Sequence, residues 1–273
     1  KGVIICKNRA EAAEAVREMM EKHKFGASGS RVVIEEFLEG PEVSVLAFTD
    51  GETIVPMVSS MDHKRALDGD KGLNTGGMGV IAPNPYYTDA IAAQCMAEIF
   101  LPTIRAMRTM GNPFKGCLYF GLMLTADGPK VIEYNCRFGD PEAQAVLPLL
   151  KTDLFAIMRH VTAGTLKDAD VRFSSGASCC VVLASGGYPV KYEKGKPIHG
   201  LSAAARQPDT WVFHAGTKKD GRQILTSGGR VLGVTAVADT LPRAIEKAYA
   251  TAKLIDFEGA HMRNDIGQKA LNA

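Results

Sequence analysis

The 273-residue sequence predicts an α+β chain. Three observations carry that reading. An apolar run, a helical stretch and a β-rich run succeed one another within the first 38 residues. An antiparallel meander follows. Beyond Gly164 the texture changes to glycine-punctuated strands closed by one helix.

Taken in order, Val3 to Cys6 reads as a short apolar strand. Asn8 is placed to cap a helix over about Ala10 to Lys22, with Ala12, Ala13, Val16 and Met19/Met20 on its inner side. Arg31 to Leu38 and Glu42 to Thr49 are β-rich, with Glu39-Gly-Pro41 turning between them, and Asp50-Gly51 closes a hairpin to Thr53–Val58. A helix from Thr88 to Met110 carries Pro102 inside it, which should kink it. Cys117–Leu124 and Pro129–Tyr134 read as strands joined by Asp127-Gly128, followed by helical stretches over Pro141–Leu150 and Asp153–Val161. The final helix is capped by Asp239 or Thr240, has Pro242 in its first turn, and sets Ala244, Ile245, Ala248, Tyr249 and Ala252 at helical spacing. The change of texture puts a boundary near Lys167.

Composition narrows the function. Hydrophobic residues are 46% and charged residues 23%, enough to bury a sizeable interior. With 32 basic and 30 acidic residues and no long block of either sign, nucleic acid and anionic membrane are poor partners. No apolar run is read as approaching the roughly 18 residues that span a bilayer. The six cysteines lack CxxC spacing and read as reduced thiols of a cytoplasmic protein. The histidines have no partner at zinc-ligand spacing apart from the charged DHKR run, and no GxSxG or papain-like motif offers a nucleophile.

The chemistry concentrates in a few stretches. In VIEYN, strand alternation puts Val131, Glu133 and Asn135 on one face, Ile132 and Tyr134 on the other, with Glu133 and Asn135 about 7 Å apart at Cα. One carboxylate and one amide oxygen suit magnesium that also binds nucleotide phosphates, although a solvated strand face accounts for the pentapeptide alone. Arg137 and Asp140 follow at once, and a guanidinium fork suits a carboxylate or phosphate. The backbone of Glu35-Glu36-Phe37-Leu38 could meet a purine edge, and Glu42 two ribose hydroxyls; an acidic edge hairpin is the plain alternative. GLNTGGMG, with Asn74, Gly76 and Gly77, could cradle phosphate or be a flexible turn. DHKR, from Asp62 to Arg65, could be reactive or a solvated charged turn.

Together EEFLEGPE, SSMDHKR, NTGGMG, VIEYNCRFGDPEAQ, SGGYP, VFHAGT and GGRVLGVTA resemble, in order and spacing, the glycinamide ribonucleotide synthetase family of the ATP-grasp superfamily. The resemblance implies an ATP-grasp fold, with residues 1–39 as an incomplete small subdomain, 40–166 as the large subdomain with the metal and substrate site, and 167–273 as a small β-rich C-terminal domain. It implies ligation of glycine to 5-phosphoribosylamine with ATP and Mg2+ (or Mn2+), by way of glycyl phosphate. The backbone of Glu36 and Leu38, flanked by Glu35 and Phe37, would hold adenine, and Glu42 the ribose. Lys1 would end a glycine-rich phosphate loop, with Asn74, Gly76 and Gly77 covering the nucleotide. Glu133 and Asn135 would bind the metal, while Arg137, Asp140, Lys64 and Arg65 serve the reacting groups.

Two departures qualify the resemblance. Gly121 stands where many ATP-grasp enzymes carry another metal-binding acid. The family's N-terminal domain, a partner in binding phosphoribosylamine, is expected to be missing, so the chain alone should turn over poorly. Another carboxylate-amine ligase, or a nucleotide-binding module without catalysis, remains open on sequence.

Overall fold

The computed structural model describes Gly2 to Asn272, and the chain divides into two units, Lys1–Glu39 and Gly40–Ala273. The first unit holds helix α1 (Arg9–Met20) and a 3-10 turn. Asn8 caps α1 as expected, its Oδ1 accepting from the Glu11 amide at 3.0 Å, while the Glu11 carboxylate accepts from the Lys7 amide at 2.9 Å. The strands expected at Val3–Cys6 and Arg31–Leu38 do not form. A strand needs a ladder of partner N–H and C=O groups, and no described residue supplies one to either segment. Val3, Ile4, Ile5, Val33, Ile34 and Phe37 accordingly stay exposed, Val33 and Ile34 most of all.

In the second unit the strands are β1 (Glu42–Thr49), β2 (Ile54–Pro56), β3 (Met61–Asp62), β4 (Arg65–Leu67), β5 (Lys71–Asn74) and β6 (Gly79–Ala82). Helices α2 (Asp89–Cys95) and α3 (Leu101–Thr109) follow, then β7 (Gly116–Thr125), β8 (Gly128–Asn135), α4 (Glu142–Val146) and α5 (Leu154–Ala163). The remainder comprises β9 (Ala177–Ser185), α6 (Leu201–Ala204), β10 (Thr210–His214), β11 (Thr217–Asp220), β12 (Gln223–Thr226), β13 (Arg230–Ala238), α7 (Leu241–Ala252) and β14 (Ala260–His261).

A four-stranded antiparallel sheet runs β2-β1-β7-β8, its two hairpins closing at Asp50-Gly51 and Asp127-Gly128 as the sequence predicts. A larger sheet runs β10-β13-β9-β6-β3, with β14 also on β9. Strands on both sides of Lys167 therefore share one sheet. The glycine-rich texture beyond it marks a change of composition inside a continuous ladder.

Each sheet face has its own apolar layer. Val43, Val45, Leu118, Phe120 and Leu122 pack one face of the four-stranded sheet against Cys95, Ile99, Phe100 and Ile104. The other face, with Leu46, Phe48 and Tyr119, packs against α4, α5 and the Val80 and Cys180 side of the larger sheet. The opposite face of the larger sheet, with Ile81, Cys179 and Ala236, is covered by α7. Adjacent Cys179 and Cys180 thus point to opposite faces, as strand alternation requires, and burial pushes both thiols up, Cys180 to about 12.

The helical run Asp89–Thr109 corrects one expectation: at 21 residues it is long and apolar enough, by length and composition, to cross a membrane. Cys95, Ile99, Phe100 and Ile104 on this run are core residues against the sheet. Pro102 sits in the first turn of α3, directly after a π-helical stretch over Met96–Phe100. The helix absorbs the proline there by widening its hydrogen-bond ring.

Phe120 is fully buried between Phe100 and Tyr134, ring centroids 4.2 and 5.5 Å away. Phe120→Ala should therefore lower the unfolding free energy by roughly 3–5 kcal/mol. A loss below about 1 kcal/mol in denaturant titration would show that this layer can collapse around the void.

Candidate active site

The site is built on the face of the four-stranded sheet that looks toward α4. Register places Ser44 opposite Gly121, Gly121 opposite Glu133, and Tyr119 opposite Asn135. Leu122, however, pairs with Val131, so β8 carries one extra residue, Ile132, at a bulge. This corrects the simple alternation: Val131 goes to the helix-covered face with Leu122, while Glu133 and Asn135 keep a common face. Gly121 matters here, because a Cβ on it would stand 3.1 Å from the Glu133 Cγ.

Glu42 opens β1 on the same face and ion-pairs with Lys64. Burial alone would lower the Lys64 pKa, but attraction to Glu42, reinforced by Asp62 and Glu133, raises it, so the ammonium stays charged. Beneath these groups lie Tyr119, whose hydroxyl is 2.8 Å from Ser44 Oγ, and Glu142, which is 5% exposed. Burial pushes the Glu142 carboxyl up, against the pull of the Tyr119 hydroxyl, Lys64 and Arg137. Burial likewise raises the Tyr119 phenol, helped by Glu142, Asp62 and Glu133. Four carboxylates (Glu42, Asp62, Glu133 and Glu142), one amide and one ammonium thus converge around the end of β8.

DHKR is divided by the fold. Lys64 joins the carboxylates, whereas the Arg65 guanidinium donates to the Gly72 carbonyl at 2.9 Å and closes the β4–β5 hairpin. His63 is 4% exposed, with Nδ1 3.2 Å from the Gly79 carbonyl and Nε2 accepting from the Gly267 amide at 3.0 Å. That acceptor role requires a neutral ring, and burial, aided by Arg263, lowers its pKa to about 4. Asn74 ends the exposed strand β5. Gly77 has φ +110°, and a Cβ there would meet Pro141 at 2.5 Å and Asp62 Oδ1 at 2.6 Å, so the glycine-rich turn lies flat against the Asp140-Pro141 corner.

Arg137 is exposed and donates to its neighbour's carbonyl, Phe138 O, at 2.8 Å. The Asp140 carboxylate accepts from Gln144 Nε2 at 3.2 Å and pairs with Arg230 at 3.2 Å. Glu35 to Leu38 belong to the other unit, where Glu35, Glu36 and Phe37 are exposed. Lys1 lies outside the described residues. Sequence reasoning passed over Ser44, Tyr119, Glu142 and Arg230. Glu142 stands inside the quoted RFGDPE, Tyr119 is two residues from Gly121 on the same strand face, and Arg230 stands inside the quoted GGRVLGVTA, so all three carried a signal, although nothing in the sequence ties Arg230 to Gly76 or Asp140.

A magnesium ion fits this donor set. Glu133 and Asn135 share a face, and no cluster of three or more His, Cys, Asp or Glu able to hold a metal exists among the described residues. An ion here would take two protein oxygens and complete its shell from phosphates and water.

Residues 1–143 match the phosphoribosylglycinamide synthetase family's ATP-grasp (A) domain, and residues 178–269 match its C domain. The chain belongs to this family. A phosphoribosylamine–glycine ligase of Rhodopirellula baltica is 48% identical over 272 residues, covering 99% of this chain and 62% of the relative. The crystal structure of a phosphoribosylamine–glycine ligase from Thermotoga maritima superposes with a TM-score of 0.85 at 34% identity, over 97% of this chain and 66% of that one. The biotin carboxylase domain of Hydrogenobacter thermophilus 2-oxoglutarate carboxylase, solved with magnesium ADP and bicarbonate, shares the fold at a TM-score of 0.69 and 14% identity, over 96% of this chain and 56% of that one. The α+β, ATP-grasp architecture expected from sequence is thus borne out. The chain spans 62% of the length of the Rhodopirellula baltica ligase and of the ligase of Halalkalibacterium halodurans.

His63 makes the site's scaffold acid-sensitive. Its folded pKa is depressed from 6.5 to about 4, so the unfolded chain binds the proton more readily. The contribution is complete above pH 6.5 and is lost as pH falls toward 4, amounting to about 3 kcal/mol at most. His63→Gln, which can keep one donor and one acceptor, should flatten the pH dependence of unfolding free energy between those limits. An unchanged slope would assign the titration to another group.

Proposed function

We propose that this chain carries the nucleotide- and glycine-activating part of a phosphoribosylamine–glycine ligase. The reaction is ligation of glycine to 5-phosphoribosylamine with conversion of ATP to ADP and phosphate. The observation that carries the reading is the shared face of Glu133 and Asn135 beside Lys64, with the Arg137–Asp140 loop leaving the end of the same strand. The family membership supplies the reaction class, and the partial span of its relatives makes the complete activity part of the proposal.

In this reading Glu133 and Asn135 would hold magnesium, which when bound neutralises phosphate charge. Lys64, kept cationic by its carboxylate neighbours, faces the transferring phosphoryl group; Glu42, its ion-pair partner, also accepts from the ribose. Arg137 receives the glycine carboxylate, with Asp140 fixed beside it for the amino group. A glycine carboxylate oxygen attacks the γ-phosphorus, the bond to the ADP oxygen breaks, and glycyl phosphate forms. The phosphoribosylamine nitrogen then adds to the glycyl carbonyl, losing a proton as phosphate leaves. No enzyme nucleophile is required, so positioning and charge neutralisation carry the catalysis. The backbone of Glu36 and Leu38, with Glu35 and Phe37, is assigned to adenine; Lys1, Asn74, Gly76 and Gly77 to the phosphates. Arg65, which the structure turns to Gly72, is given at most a role in holding the hairpin. The subdomains at 1–39, 40–166 and 167–273, the N-terminal portion as partner and a cytoplasmic setting belong to the same proposal.

The test is glycine-dependent ADP release, with the N-terminal portion of the ligase supplied in trans, and identification of the product from labelled glycine. Glycinamide ribonucleotide as product supports the reading; a different amino-acid amide sinks it. Glu133→Ala should weaken nucleotide binding about 10- to 100-fold in magnesium while leaving metal-free binding nearly unchanged, measured by calorimetry. Equal losses with and without metal would remove Glu133 from the ion.

A further inference from the structure

The first residue of β13, Arg230, lies 90 residues in sequence from Asp140 and 154 from Gly76, yet its guanidinium reaches both. Nη1 donates to the Gly76 carbonyl and to the Asp140 carbonyl, each at 2.7 Å, and lies 3.2 Å from Asp140 Oδ1. The Arg230 side chain is 21% exposed, so these are shielded, charge-assisted bonds. The Gly76 amide donates to the Tyr188 hydroxyl at 3.1 Å, and a Cβ on Gly229 would run into the Tyr188 ring.

The bonds continue inward. The Gly77 amide donates to Thr75 Oγ1 at 2.9 Å, so the Gly76–Gly77 peptide is held at both its oxygen and its nitrogen. Thr75 returns two bonds to the Lys64 carbonyl, from its amide at 2.7 Å and from Oγ1 at 2.8 Å. One guanidinium therefore stands behind both Lys64 and Asp140, on opposite sides of the turn that Gly77 presses against Pro141.

We propose that Arg230, assisted by Tyr188, is a positioning residue that locks the glycine-rich turn onto the Asp140 corner and so sets the spacing between Lys64 and the glycine-binding loop. This rests on the function proposed above. A misplacement of about 1 Å between such groups costs about 100-fold in rate. Nucleotide affinity should change far less than the rate, because Gly76 and Gly77 offer the phosphates only backbone contacts, whereas Glu133 and Asn135 sit on β8, outside the clamp.

The test compares wild type, Arg230→Gln and Arg230→Lys. Amide hydrogen exchange of Thr75 to Met78 in this chain should speed up about tenfold in Arg230→Gln, with the amides of β9 unchanged. The lysine variant, which keeps the charge but not the fork, should fall between. In the glycine-dependent assay Arg230→Gln should lower kcat about 100-fold while the KM for magnesium ATP stays within about threefold. Unchanged exchange at Thr75–Met78, or a KM that collapses in step with kcat, overturns the proposal. If Arg230→Gln fails to fold, Tyr188→Phe must still loosen the Gly76 amide selectively, and failure to do so overturns it equally. Wild type that shows no glycine-dependent ADP release even with the N-terminal portion supplied in trans sinks the proposed function, and the exchange result then decides the clamp by itself.

Discussion

One extra residue in β8 governs which side chains meet. By bulging at Ile132, the strand lets Val131 join the apolar face beneath α2 and α3 while Glu133 and Asn135 turn together to the other side. Without the bulge, the register that pairs Lys130 and Val131 with Met123 and Leu122 would put Glu133 on the opposite face, among Phe100, Phe120 and Leu122. A carboxylate cannot be held there without a partner. The polar site and the apolar layer thus have the same cause, a one-residue slip confined to one strand.

Around that face the structure concentrates charge and then balances it. Lys64 neutralises Glu42 and lies near Asp62 and Glu133, and the buried Glu142 is held by Tyr119 with Lys64 and Arg137 close by. Buried ionisable groups are tolerated only when each has such partners. The arrangement leaves a cation and a carboxylate–amide pair on one surface, and on that pair the proposed nucleotide and metal site rests. Behind it, the neutral His63 and the Arg230 clamp fix the backbone from which Lys64 and Asp140 project.

The C-terminal segment takes part in this support. Strands β3 and β6 share a sheet with β9 and β13, and fully buried Arg263 bonds Asp70, Asp265 and the Arg65 carbonyl. The segment that composition sets apart also supplies, through the ladder, part of the frame on which the DHKR and glycine-rich loops are strung.

By itself the sequence determined the elements whose signals are local: the Asn8 cap, the Asp50-Gly51 and Asp127-Gly128 hairpins, the final helix with Pro242 in its first turn, and the Glu-x-Asn pair two positions apart. Motif order was enough to point to the family. Only the tertiary structure decided what depends on pairing between distant segments. It left Val3–Cys6 and Arg31–Leu38 without strands because no described residue offers them a ladder, and it moved Val131 across the sheet through a bulge that no composition announces. It also split His63 and Arg65 from Lys64 and brought Arg230 to Gly76 and Asp140. Periodicity tells a residue which way it faces along its own element. Which neighbour waits on that side is fixed by register and by contacts far apart in the chain.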